Sequence, residues 1–144
     1  MKKILALILL SLAPTADAAI WVEVKGVNGM LLKSTSHSDV FANMYQTTGE
    51  DFSIRFLVED YECKVFTKEV IDTNHHNING VNVKFASQCL GGNIQAYFPW
   101  SEKGVKYVID QFTTKVEVKV EGIVFDANNF SESWNKFQED SFAI

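Results

Sequence analysis

Hydrophobic and polar residues alternate along much of this chain, the period of a half-buried β-strand. Phe52, Ile54, Phe56 and Val58 alternate with Ser53 and Arg55, and only Leu57 breaks the pattern. Val116, Val118 and Val120 face one way and Lys115, Glu117, Lys119 and Glu121 the other, which makes 115–121 the cleanest predicted strand. After Gly122 the apolar set switches parity to Ile123 and Phe125, as at a bulge or bend. Trp21–Lys25 and Met30–Ser34 read as strands joined through the turn signal Asn28-Gly29. Val81–Leu90 and Ile94–Phe98 read as a second hairpin around Gly91-Gly92, and 63–71 reads as a further extended segment.

Three stretches carry a helical signature. Pro99 lacks the N–H a ladder needs, so the strand before it stops there. Ser101 then supplies an N-cap, Glu102 suits the first turn, and Val105, Val108, Ile109 and Phe112 fall on one helical face. A helix is therefore predicted near 102–113. A second is predicted near 130–138, with Phe130, Trp134 and Phe137 on its packed side. The stretch 36–49 is ambiguous in period. Ser38 would cap a short helix carrying Val40, Phe41, Met44 and Tyr45, ended by Gly49. The sum is an α+β fold, an antiparallel sheet of about six to eight short strands with helices on one face. A small barrel or sandwich with peripheral helices is the alternative.

The chain begins with Lys2 and Lys3, an apolar run from Ile4 to Leu12, Pro14, and Ala16-Asp17-Ala18. The run is too short to span a bilayer, and the small-x-small ending fits a cleavage site. Residues 1–18 are therefore expected to be a bacterial signal peptide, and 19–144 a single exported domain in the periplasm or outside the cell. No later stretch is long and apolar enough to form a membrane-spanning segment. Cleavage removes two lysines and one aspartate, which takes the formal charge from −5 to −6. That balance argues against nucleic acid and against anionic membrane surfaces. Arg55 is the single arginine, so an arginine-based anion site is not expected. Cys63 and Cys89 are the only cysteines, and in an oxidising compartment they are expected to form one disulfide.

Candidate chemistry is sparse. His75 and His76 stand beside Asp72 and Asn74, donors that could hold zinc or copper, but their adjacency suits a solvated loop tip better than a metal site. Glu59, Asp60 and Glu62 cluster at a turn without calcium-loop spacing; they read as an acidic patch able to meet a basic partner. No nucleophile elbow, Ser-x-x-Lys or His-Glu-x-x-His motif occurs, so no catalytic residue and no cofactor is expected. Tyr97, Phe98 and Trp100 surround Pro99; strand parity turns one of them inward, and Tyr97 and Trp100 are the expected binding aromatics. The expected function is that of a non-catalytic periplasmic protein that occupies a protein partner, inhibitor- or immunity-like. Its target would be a basic envelope-active enzyme or toxin. An envelope structural or assembly component of a secretion or conjugation apparatus is the alternative. The sequence assigns no oligomeric state.

Overall fold

A computed structural model describes residues 20–24 and 28–142; the expected signal peptide lies outside them. The fold is α+β; the described residues form two antiparallel sheets and two helices, with no closed barrel among them. Strands β1 (Val22–Glu23), β2 (Met30–Lys33), β3 (Val40–Gln46) and β4 (Phe52–Glu59) form a meander. Next come β5 (Val70–Asp72), β6 (His76–Ile78), β7 (Val81–Val83), β8 (Phe85–Gly91) and β9 (Ile94–Pro99). Helix α1 (Glu102–Thr114), strands β10 (Glu117–Val120) and β11 (Ile123–Asp126), and helix α2 (Phe130–Phe142) follow. The seven-stranded sheet runs β1-β2-β3-β4-β9-β8-β5, and the four-stranded sheet runs β11-β10-β6-β7.

The core fills the space between the inner face of the large sheet, the small sheet and the helices. Phe56 on β4 lies at its centre, with ring centroids 6.1 Å from Phe85, 6.3 Å from Phe112 and 5.5 Å from Phe125. Trp21 closes one end, edge-on to Phe112 and Phe130. Helix α1 starts where expected, because the Ser101 hydroxyl accepts the Gly104 N–H at 3.0 Å. Gly104 itself is buried against β7. A Cβ there would stand 3.0 Å from the Val83 side chain, so the residue that weakens the helix start also lets it pack close. On α2, Phe130 and Phe137 are buried and Phe52 meets Trp134 and Phe137 edge-on.

Three sequence expectations are corrected. The stretch 40–46 is strand β3, not a helix capped by Ser38, and pairs with β4 from Val40↔Val58 to Gln46↔Phe52. Val40, Ala42 and Met44 enter the core, while Phe41 packs on the opposite face with Leu31, Leu57 and Ala96. Apolar residues on both faces imitate helical spacing, and the same outer cluster explains Leu57. Residues 63–69 are not a strand but part of an irregular strap that starts at 60, with only Val70–Asp72 in the ladder. The run 81–90 is two strands in different sheets, divided at Lys84.

Candidate functional site

The first region of interest is the strap, residues 60–69, joined to β5. Cys63 and Cys89 form a disulfide with a Cα–Cα distance of 5.5 Å, which ties the strap to β8. Main-chain bonds reinforce it: the Asn93 N–H donates to Cys63 O at 2.7 Å, Gly92 N–H to Lys64 O at 3.2 Å, and Thr67 N–H to Cys89 O at 3.2 Å. Gly91 has φ +80°, and a Cβ there would lie 2.8 Å from the Phe66 nitrogen, so only glycine permits this approach. The anchored strap nevertheless turns apolar side chains outward. Val65 is 78% exposed and Phe66 53%, and Tyr61, Val70 and Ile71 are exposed with them. Strand β5 ends the large sheet, so its outer edge carries no neighbouring strand among the described residues.

The acidic turn begins this region. Asp60 is structural: its Oδ1 accepts the Glu62 N–H at 3.0 Å, and its carbonyl accepts the Cys63 N–H at 3.0 Å. Glu59 and Glu62 are exposed. Between 59 and 72 the chain carries five carboxylates, Glu59, Asp60, Glu62, Glu69 and Asp72, against Lys64 and Lys68. Asp72 pairs with Lys84 at 3.4 Å; no ion pair engages the other four among the described residues. The expected aromatic pair is divided. Tyr97 faces inward, 5.8 Å from the His76 ring, whereas Trp100 is exposed and rests on Phe98 at 6.2 Å.

The second region is a cavity of about 230 Å³ between the sheets. The large sheet contributes Val40, Phe56, Val58, Phe85 and Tyr97. The small sheet and its β10–β11 turn contribute His76, Val120, Glu121, Ile123 and Phe125. His76 is thus not on a solvated loop tip; β6 carries it to the cavity wall, with its ring edge-on to Phe85 at 4.9 Å. Its Nδ1 lies 3.9 Å from Glu121 Oε1, and its buried Nε2 has no hydrogen-bond partner. Burial holds the His76 pKa below its ordinary 6.5, partly offset by the Glu121 charge. His75, one residue earlier, is exposed. Among the described residues no group of three His, Cys, Asp or Glu stands close enough to hold a metal ion.

Sequence reasoning passed over the strap because Val65-Phe66 and Val70-Ile71 are adjacent apolar pairs, which have no strand parity and no helical spacing. That absence of period, in a stretch so apolar, was the available signal. His76 and Glu121 carried no joint signal, being 45 positions apart in the chain.

No protein-family model matches this chain, and no curated protein or solved structure does so either. Among the described residues no helix is long and apolar enough to cross a membrane. A disulfide of this kind is compatible with an oxidising compartment.

Proposed function

We propose that this is a non-catalytic exported protein, periplasmic or secreted, that works by docking onto a basic protein partner, as inhibitors and immunity proteins do. The observation that carries this reading is the strap with β5: five exposed large apolar residues between 61 and 71, held on a frame of one disulfide and several main-chain bonds. Exposed apolar surface that is rigidly held loses little conformational entropy on binding. The four carboxylates outside any ion pair select a positively charged partner and speed encounter at low salt. Trp100 stands apart from the strap as a separate exposed aromatic.

The free edge of β5 favours a second reading, an assembly component that extends its sheet by strand pairing with a neighbour.

Capture from an envelope extract, using the oxidised protein beside a Val65→Glu, Phe66→Glu variant, separates the two. A single basic protein held by the parent and released by the variant, then rebound after purification with an affinity that falls as salt rises, supports docking. Self-association, or partners that the variant retains and that a proline at Val70, whose N–H faces the free edge, abolishes, supports assembly through the edge. A basic partner held equally by parent and variant removes the strap from the proposal.

A further inference from the structure

On the basis of the docking function proposed above, we infer that a groove on the outer face of the large sheet receives one apolar side chain flanked by lysine or arginine, presented by an extended segment of the basic partner. The groove holds about 470 Å³, within the roughly 300–1,000 Å³ of ligand-binding clefts. The adjacent strands β2, β3, β4 and β9 contribute Leu31, Phe41, Leu57 and Ile94. This apolar lining grades from buried Leu31 and Leu57, through half-buried Phe41 and Ile94, to Val24, which is exposed. It belongs to the small outer cluster of the sheet, separate from the main core.

The charge at the groove is of one sign. Val40↔Val58 ends the β3–β4 ladder, and Asp39 and Glu59 come next, lining the groove on the same face as Phe41 and Leu57. Like charges that face each other across two strands repel. No ion pair engages either carboxylate among the described residues. Both charges reach the exposed Tyr61 phenol, whose pKa is raised above its ordinary 10.0 by hydrogen bonding to Glu59, then by the Glu59 charge, and least by Asp39. Tyr61 belongs to the strap, so the acidic side of the groove joins the docking surface.

No lysine, arginine or histidine is among the described lining residues. Lys33 and Arg55 share the sheet face but not the groove, and Arg55 is held by Asn43 and Tyr45. A cation brought between Asp39 and Glu59 offsets their repulsion, and an apolar side chain beside it takes the rest of the space. A second copy of this chain is the poorer occupant, because its formal charge of −5 adds negative charge to an acidic site.

The end-blocked peptide Gly-Lys-Phe-Lys-Gly tests this against Gly-Glu-Phe-Glu-Gly and Gly-Lys-Gly-Lys-Gly. Each is titrated into the purified oxidised protein. The methyl signals of Leu31, Leu57 and Ile94 are followed beside those of Val65 and Ile71 on the strap and β5. The expected result is saturable binding of the lysine–phenylalanine peptide, about tenfold tighter than either control and weaker as salt rises, with the groove methyls shifting most. Asp39→Asn with Glu59→Gln should reduce the preference over the glutamate peptide several-fold. Equal affinity for the lysine and glutamate peptides in the parent protein overturns the charge assignment. Shifts confined to Val65 and Ile71, or no shift at millimolar peptide, overturn the groove and leave docking through the strap standing. Self-association that shifts the groove methyls without peptide makes a second copy the occupant and overturns the inference. These outcomes are read on the parent protein, so none depends on a variant folding. An envelope capture that yields no basic partner, with the peptide seated in the groove, would instead count against the docking function.

Discussion

Arg55 and Asn43 stand opposite each other on β4 and β3, and the Arg55 Nε donates to the Asn43 Oδ1 at 2.7 Å. The Asn43 amide nitrogen lies 3.0 Å from Asn28 O, 3.1 Å from Met30 O and 3.0 Å from Met44 O, so its side chain pins the start of β2, and the turn before it, to β3. The guanidinium lies 4.2 Å over the Tyr45 ring, and burial lowers its pKa from the ordinary arginine value. The only arginine of the chain is thus a structural residue on the outer face of the sheet.

Removing Asn43 leaves buried carbonyls and a guanidinium without their partner. Asn43→Ala should cost about 2–3 kcal/mol, and Arg55→Met about 1–2 kcal/mol. The double variant should cost less than the sum, because each single change already breaks the shared bond. Urea unfolding of the four proteins measures this; strictly additive costs would show that the two side chains act independently.

The Cys63–Cys89 bridge joins residues 26 apart. A loop of that length contributes about 3 kcal/mol in the chain-entropy account. Cys63→Ser with Cys89→Ser should lower stability by about that amount. Amide exchange should quicken most at Gly92 and Asn93, whose N–H groups bond to the strap, and least at Phe56 in the core. Uniform quickening would mean that the strap and the sheet open together.

The His76 pKa lies below 6.5 in the folded protein, and burial is the larger cause. The unfolded chain therefore binds more protons just below that pH, and the His76 contribution to stability falls as the medium is acidified through the window beneath 6.5; above it the contribution is flat. The groups facing the ring are the Glu121 carboxylate and the Tyr97 phenol. Melting temperatures between pH 5 and 7.5, compared with those of His76→Gln, isolate the histidine. Glu121→Gln should push the imidazole pKa lower still, read by NMR titration, because the carboxylate raises it. An upward shift would show that the carboxylate is not acting by its charge.

The sequence was legible where one face of an element is buried and the other is wet. Val118 and Val120 on β10 and Val108 and Phe112 on α1 follow their predicted period for that reason, whereas β4 keeps its period because Ser53 and Arg55 on its covered outer face are polar. Strand β3 was not legible, because Phe41 and Tyr45 find partners on the outer face. Alternation also says nothing about which sheet a strand joins. Val83 and Phe85 keep one parity through Lys84, yet the chain passes from the small sheet to the large one between them. The disulfide was read from cysteine count and compartment, whereas its use, fixing an apolar strap outward, depends on close approach at Gly91. The cavity depends on two sheets meeting, which no local pattern records.

The order of strands in the large sheet differs from their order in the chain: β4 lies beside β9, not β5. The β1–β4 meander and the β8–β9 hairpin can each form from neighbouring residues, but joining them requires closure of the long intervening segment, a slow step for any β-topology. The cysteines bracket most of that segment, one just after β4 and the other on β8. A chain oxidised before it folds begins with the two halves already tethered, so the timing of thiol oxidation governs how long unpaired edges of β4 and β9 stand open to other chains.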